Sequence, residues 1–394
     1  MTDVGMTIRA ARAAARLSQR DLAARCGYSQ SWLSRVESGR RVASDDDLRR
    51  IARELGIDAT WLGVAAKEGD VRRRQLIGAA GAAVASVLPT GAAATASETD
   101  ALLMPPDPVS RPPHPQVVEV ALEAAVRRQA AAQYREVAAD LPRLVGAVTQ
   151  LDSDSRAAQC LRARVYVLAT AVLVKTRHEA AVVMADRAMA AARRSQHPLA
   201  TAQAARAFLI AWRQRGEHTL ARNVASRAVA ELAGEELARP VVGHILLEAS
   251  YGAAQCGQEA DAEDLWHRAG EMATRTSRLA WPDHAGPLSS DQVARYGMCV
   301  QHLLGHPSAA MRHRASIRGQ VPTAERQARI HHDTAKLHKD LGDYDGALTA
   351  LVAHESVAPQ DARRASVRRM VADMVTAAPH QPRLRRFAAH IGAV

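Results

Sequence analysis

Residues 17–39 read Leu17-Ser18-Gln19-Arg20-Asp21-Leu22-Ala23-Ala24-Arg25-Cys26-Gly27-Tyr28-Ser29-Gln30-Ser31-Trp32-Leu33-Ser34-Arg35-Val36-Glu37-Ser38-Gly39. Ser18 and Asp21 have the spacing of a capping box, with Asp in place of the usual Glu or Gln. That pair opens a helix over Gln19–Cys26, which Gly27 ends. Gly27-Tyr28-Ser29 is a tight turn, and a second helix runs from Gln30 to about Ser38, stopped by Gly39. Ala23, Leu33 and Val36 are placed to pack the two helices together. Working outward, Ile8, Ala11, Ala15 and Leu17 mark a preceding helix. A fourth helix spans Ser44–Leu55, with Asp45-Asp46-Asp47 at its positive N-terminal end, and a fifth spans Asp58–Val64. The expectation for residues 1–66 is one domain of five short helices.

Two short helices joined by a Gly-containing turn follow the helix-turn-helix plan. The order of small, apolar, polar and Gly positions over residues 6–64 resembles the Cro/cI-type (XRE family) domain. The match includes Leu17–Ala23, Gly27, Ser31–Gly39 and Leu48-Arg49-Arg50-Ile51-Ala52. The resemblance implies a lambda-repressor-like fold whose second motif helix enters the major groove of double-stranded DNA by its N-terminal end. It puts Gln30, Ser31, Ser34 and Arg35 at base-reading positions. Gln suits adenine and Arg suits guanine, each through two hydrogen bonds, and Ser is less selective. Gln19 would clamp a phosphate and brace Gln30. Arg40 and Arg41 fit phosphate contacts, which position the protein without specifying sequence. Trp32 departs from the family pattern, where a smaller residue is common. It is read as packing, with a thymine methyl or sugar contact as the alternative.

Composition agrees with helices. The chain has 394 residues, 47% hydrophobic but only 3% aromatic, so its apolar mass is mostly Ala, Val and Leu. Small side chains suit closely packed helices and argue against a large β-sandwich. The expected class is all-α. The net charge of +11 is compatible with nucleic acid. However, 48 of the 52 basic residues are Arg, a bias that GC-rich coding produces throughout a chain. The position of the arginines therefore carries more weight than their number. Cys26, Cys160, Cys256 and Cys299 stand far apart with no CxxC pair, which excludes a disulfide scaffold or zinc finger as the basis of the fold. Free thiols and a cytoplasmic, nucleoid-associated location are expected. No signal peptide opens the sequence and no run of about 18 apolar residues is read in it, so no membrane partner is expected.

Residues 67–115 change character. Arg72-Arg73-Arg74 precedes an Ala/Gly-rich run to Leu88 and an Ala94-Thr95-Ala96 site. This resembles a twin-arginine export signal, misplaced behind a complete domain. It is read as an Ala-rich helix over 72–88 inside a linker that ends in two Pro-rich clusters.

From 116 to 394 the chain is helical and repeats. A turn residue followed five positions later by Ala recurs, and Ala181, Ala221, Ala262, Ala310 and Ala347 are 40, 41, 48 and 37 residues apart. A period in this range means stacked helix pairs. The longest interval contains a loop over 281–287. Gly342-Asp343-Tyr344, Ala347, Leu351 and Pro359, with Ala335 before them, resemble a tetratricopeptide (TPR) repeat. The region as a whole resembles a TPR-like α-solenoid over about 160–380, with flanking helices at 117–150 and 360–392. In such proteins the first helix of each pair lines a concave groove. That register selects Tyr166 and Thr170; Gln203, Arg206 and Arg213; His244, Tyr251 and Gln255; Arg329, His332, Lys336 and Lys339. Arg, His and Tyr in a groove suit an acidic or amide-bearing ligand such as a short peptide.

His302 with His306, and His331, His332, Asp333 and His338, have metal-pair spacing but no nameable third and fourth ligands. No phosphate-binding loop, nucleophile elbow or HExxH is present, and no catalytic residue or cofactor is assigned. The sequence thus reads as a non-enzymatic, dimeric regulator acting on a roughly palindromic operator. The arrangement resembles helix-turn-helix/TPR regulators that respond to signalling peptides, which implies a repeat domain that dimerises and binds a peptide or small molecule. An adaptor whose groove holds a protein partner stays open as the alternative.

Overall fold

The structure is a computed structural model, and the residues described are 3–64, 114–176, 179–273, 288–318 and 323–394. Among them every regular element is helical: nineteen α-helices and one 3-10 turn. The all-α expectation is met. Contacts divide the chain into two compact units, one around residues 3–64 and one around residues 152–394. The linker helix over 72–88, the twin-arginine-like segment and the 281–287 loop lie outside the described residues.

The first unit contains α1 (Asp3–Ala14), α2 (Gln19–Arg25), α3 (Gln30–Glu37) and α4 (Asp45–Leu55), followed by a 3-10 turn over Ala59–Leu62. That turn replaces the fifth helix. Asp58 Oδ1 accepts from Thr60 N at 2.8 Å, and Gly63 at φ 81° ends the element after four residues. Helix α1 also stops short of Leu17. Arg16 adopts φ 55°, and Leu17 N donates to the Arg12 carbonyl at 3.1 Å, which turns the chain toward α2. The capping boxes Ser18/Asp21 and Ser44/Asp47 are both complete. Ile8, Leu22, Leu33, Ile51 and Leu62 are at most 1% exposed. Burying each of them contributes roughly 1.5–3 kcal/mol. Helix α1 crosses the end of α3 at Gly5, where a Cβ atom would stand 2.4 Å from the Glu37 carbonyl oxygen. Only a hydrogen fits there.

Ahead of the repeats lie α5 (Pro115–Ala130) and α6 (Tyr134–Thr149). Five helical hairpins follow: α7 (Arg156–Thr176) with α8 (Ala180–Ser195), α9 (Pro198–Gln214) with α10 (His218–Glu231), α11 (Arg239–Gln255) with α12 (Glu259–Ala273), α13 (Ser290–Leu303) with α14 (Pro307–Ser316), and α15 (Ala324–Asp340) with α16 (Tyr344–Val357). The short α17 (Pro359–Ala362) leads to a closing pair, α18 (Ala365–Ala377) and α19 (Pro382–Ile391).

The recurrent turn has a backbone cause. Gly216, Gly257, Gly305 and Gly342 all have φ between 70° and 86°, a left-handed conformation that costs Gly little. In each turn the next N–H reaches a carbonyl five residues back, as Asp343 does to His338 at 2.9 Å. The alanine five residues after the turn then faces the partner helix. Ala181, Ala221, Ala262, Ala310 and Ala347 are all at most 5% exposed. Val367, Met370, Val371, Met374, Leu384 and Phe387 of the closing pair cover the last repeat at Ala347 and Leu351.

Helix α7 is long and apolar enough to cross a membrane by length and composition, contrary to the sequence expectation. Yet 72% of its most apolar window is buried within the structure, as in a core helix.

Candidate functional site

In the first unit, α3 is fixed at both ends. The Ser29 hydroxyl caps its start by accepting from Trp32 N at 3.2 Å, and the Ser38 N–H closes its end on the Ser34 carbonyl. Trp32, Leu33, Val36 and Glu37 are buried, while Gln30, Ser31 and Arg35 are exposed and Ser34 is half-buried. The four base-reading candidates therefore share the outer face.

A polar chain orients that face from within. Gln30 Nε2 donates to Gln19 Oε1 at 2.8 Å. Gln19 Nε2 donates to Glu37 Oε2 at 2.8 Å. Arg12 then clamps Glu37 with two bonds, Nε to Oε1 at 2.7 Å and Nη2 to Oε2 at 3.1 Å. Glu37 is 3% exposed, so its charge is held by the bidentate pairing that an arginine fork provides. The bracing of Gln30 by Gln19 is thus present geometrically; Arg12 and Glu37 were not singled out in the sequence.

Trp32 packs. Its ring stacks on Tyr28 with centroids 3.9 Å apart, and the Tyr28 hydroxyl donates to Asp47. The Arg41 guanidinium lies over the same indole at 5.6 Å. Arg40 and Arg41 are both exposed just beyond α3.

In the second unit, the first helices of the hairpins surround a cavity of about 430 Å³. Thr170, Gln203, Arg206, Arg213, Tyr251, Gln255, Arg329, His332 and Lys336 all line it. Tyr166 and His244 are buried on the same helices without lining it, and Lys339 pairs with Asp340 at 2.5 Å.

The structure adds charged residues that were not singled out for the groove: Lys175, Glu248, Arg295, Glu325, Arg326, Asp333 and Arg364. Glu248 takes Arg206 at 3.2 Å, Arg213 at 3.1 Å and the Tyr296 hydroxyl at 2.5 Å. Burial alone would raise its pKa, but Arg213 and Arg206 hold it down at about 2. Lys175 reaches Glu325 at 2.8 Å and Asp361 at 3.7 Å, tying the first hairpin to the fifth and to α17. Asp333 accepts from Arg295 at 2.6 Å and from the Cys299 thiol at 3.3 Å. Burial, against which the weak His332–Asp333 contact acts, lowers the His332 pKa to about 3, so that ring is neutral near pH 7. Among the described residues no group of three or more His, Cys, Asp or Glu is placed to hold a metal ion.

An exposed, capped second helix braced from the first defines a helix-turn-helix domain. The stacked hairpins around the cavity define a TPR-like solenoid. A family model described as "Helix-turn-helix domain" matches residues 3–60, so the N-terminal unit is such a domain. Two solved structures are similar to the chain. One is PlcR of Bacillus thuringiensis in complex with the peptide PapR7 and DNA, at 13% identity over 89% of this chain and 99% of that chain, with a TM-score of 0.36. The other is PilF of Pseudomonas aeruginosa, at 12% identity over 69% of this chain and 99% of that chain, with a TM-score of 0.32. A sequence search of curated proteins gave no match.

Proposed function

We propose that this chain is a dimeric, sequence-specific transcriptional regulator of the Cro/cI type whose TPR-like unit dimerises and senses a small molecule or peptide. The observation that carries the DNA-binding part is the outer face of α3. Gln30, Ser31, Ser34 and Arg35 stand together there, with Gln30 held by Gln19 and Glu37 instead of being loose in solvent. Arg35 supplies guanine recognition, Gln30 adenine recognition, and Arg40 and Arg41 phosphate contacts. One domain of about 60 residues covers too little DNA for tight specific binding alone, which favours two copies on a two-fold site. A ligand in the cavity would act by binding one curvature of the solenoid better than another and so shifting the DNA-competent population.

Selection from randomised duplexes with the full chain tests this reading. It predicts an enriched motif with two related half-sites, and Arg35→Ala should relax one base position at a cost of about 1–3 kcal/mol. An unchanged motif in that variant would remove Arg35 from the reading, and no enrichment by the wild type would remove the reading itself.

A further inference from the structure

Eight Lys or Arg side chains line the cavity against three carboxylates. A fourth carboxylate, Asp361, lies 3.7 Å from Lys175 and 3.6 Å from Arg364. Even with it counted, four positive charges are left over. The carboxylates are already shared: Glu248 serves Arg206 and Arg213, and Glu325 serves Lys175, Arg326 and Arg329. Lys336 has no carboxylate within ion-pair distance among the described residues. This crowding is internal, since Arg206, Arg295 and Arg326 are at most 6% exposed. Like charges set close together away from water repel strongly and are costly to hold. The cations respond unequally: against burial, Tyr296 and Asp333 hold the Arg295 pKa above its ordinary value, and Glu325 and Asp333 do the same for Arg329, while two others shift down. Burial and then Arg329 lower the Lys175 pKa, and burial lowers that of Arg326, with Arg206 and Arg295 adding to the effect.

The cations are also pre-arranged. Arg213 lies over the Tyr251 ring at 4.6 Å and Arg295 over the Tyr296 ring at 4.1 Å, contacts that favour a planar, fixed guanidinium. His332, 4% exposed, lines the same space, and its Nε2 has no hydrogen-bond partner among the described residues. A volume of about 430 Å³ falls within the range of small-molecule sites.

We propose that this cavity binds a small molecule bearing two or more anionic groups, phosphate or carboxylate, through Arg213, Arg329, Lys336 and the arginines behind them. This deepens the sensing part of the proposed function and rests on it. Each anionic group accepts paired N–H bonds from an arginine fork and relieves the surplus positive charge.

The test is calorimetric titration of the full chain with inorganic tripolyphosphate and with citrate. The cavity variant is Arg329→Gln/Lys336→Gln, and Arg40→Gln/Arg41→Gln serves as a control for anion binding at the DNA-facing surface. Saturable binding is expected, weakened about tenfold or more in the cavity variant and unchanged in the control. Tighter tripolyphosphate assigns the site to phosphate esters, and tighter citrate to polycarboxylates. If circular dichroism shows the double variant unfolded, Lys336→Gln alone, at an exposed position, supplies the comparison. The proposal is overturned if neither probe binds at millimolar concentration, or if binding is lost in the Arg40/Arg41 variant and kept in the cavity variant. Duplex selectivity, scored on the same preparations, speaks only to the regulator reading.

Discussion

Glu37→Gln is the perturbation that probes the proposed DNA-reading face most sharply, because it leaves shape intact and removes one charge. In the wild type the two carboxylate oxygens accept three bonds, two from Arg12 and one from Gln19. An amide keeps one acceptor and turns the other position into a donor facing donors. The pair is neither fully buried nor exposed, with Arg12 at 14% and Glu37 at 3%. The cost therefore falls between that of a surface ion pair, about 0–1 kcal/mol, and that of a broken buried pair, about 3–5 kcal/mol. We expect about 2 kcal/mol, equivalent to a fall of roughly 10 °C in the melting of a domain this size. The second consequence is functional. Without its acceptor, Gln19 no longer holds Gln30, so operator affinity falls about three- to tenfold and preference at the base read by Gln30 weakens. Differential scanning calorimetry reads the first effect, and fluorescence anisotropy on operators substituted base by base reads the second. A variant with wild-type melting and wild-type base preference would refute the reasoning that this chain orients Gln30.

Arg41→Ala should weaken all sequences alike and reduce the salt slope of DNA binding by about one; a base-selective loss in anisotropy titrations would contradict its assignment to phosphate. Glu248 has a folded pKa of about 2 against an ordinary 4.5. Its contribution to stability, roughly 3 kcal/mol, is complete above pH 4.5 and disappears as pH falls toward 2. Urea unfolding across pH 2–7 should accordingly show a shallower acid loss in Glu248→Gln, and an unchanged slope would argue against the Arg206–Arg213 clamp. Ala347→Leu inserts bulk where the side chain is fully buried between α15, α16 and the closing pair. It should cost about 1–3 kcal/mol by thermal melting, and full stability would mean the helices can separate freely there. Sedimentation of the full chain at micromolar concentration should give a dimer, and a monomer would remove dimerisation from the proposal.

The N-terminal domain was legible because its punctuation is local. Ser18/Asp21 write their cap three residues apart, Asp45-Asp46-Asp47 mark the start of the fourth helix, and Gly27 and Gly39 write the stops. The early end of α1 was not legible, since nothing in the sequence marks Arg16 for a left-handed backbone. The Gly turns at 216, 257, 305 and 342 and the alanines five residues after them followed from spacing, and the burial of those alanines is a finding of the structure. The cavity was half legible. Positions on the face of each first helix are legible, but Lys175 is not, because its partner Glu325 is 150 positions away. Glu248 sits between His244 and Tyr251 on the helix face already selected, so continuing the 3–4 spacing would have found it. Arg295 and Arg364 had no such cue, one lying within the longest interval between the repeating alanines and the other preceding the closing pair.

Side chains of α3 are proposed to contact base edges in the major groove. Methylation interference on a selected duplex, using the full chain, tests this directly. Methylating guanine N7 at one position in each half-site is expected to block binding by the wild type and to cease to matter for Arg35→Ala. Binding indifferent to every N7 methyl group in the wild type would contradict the proposal.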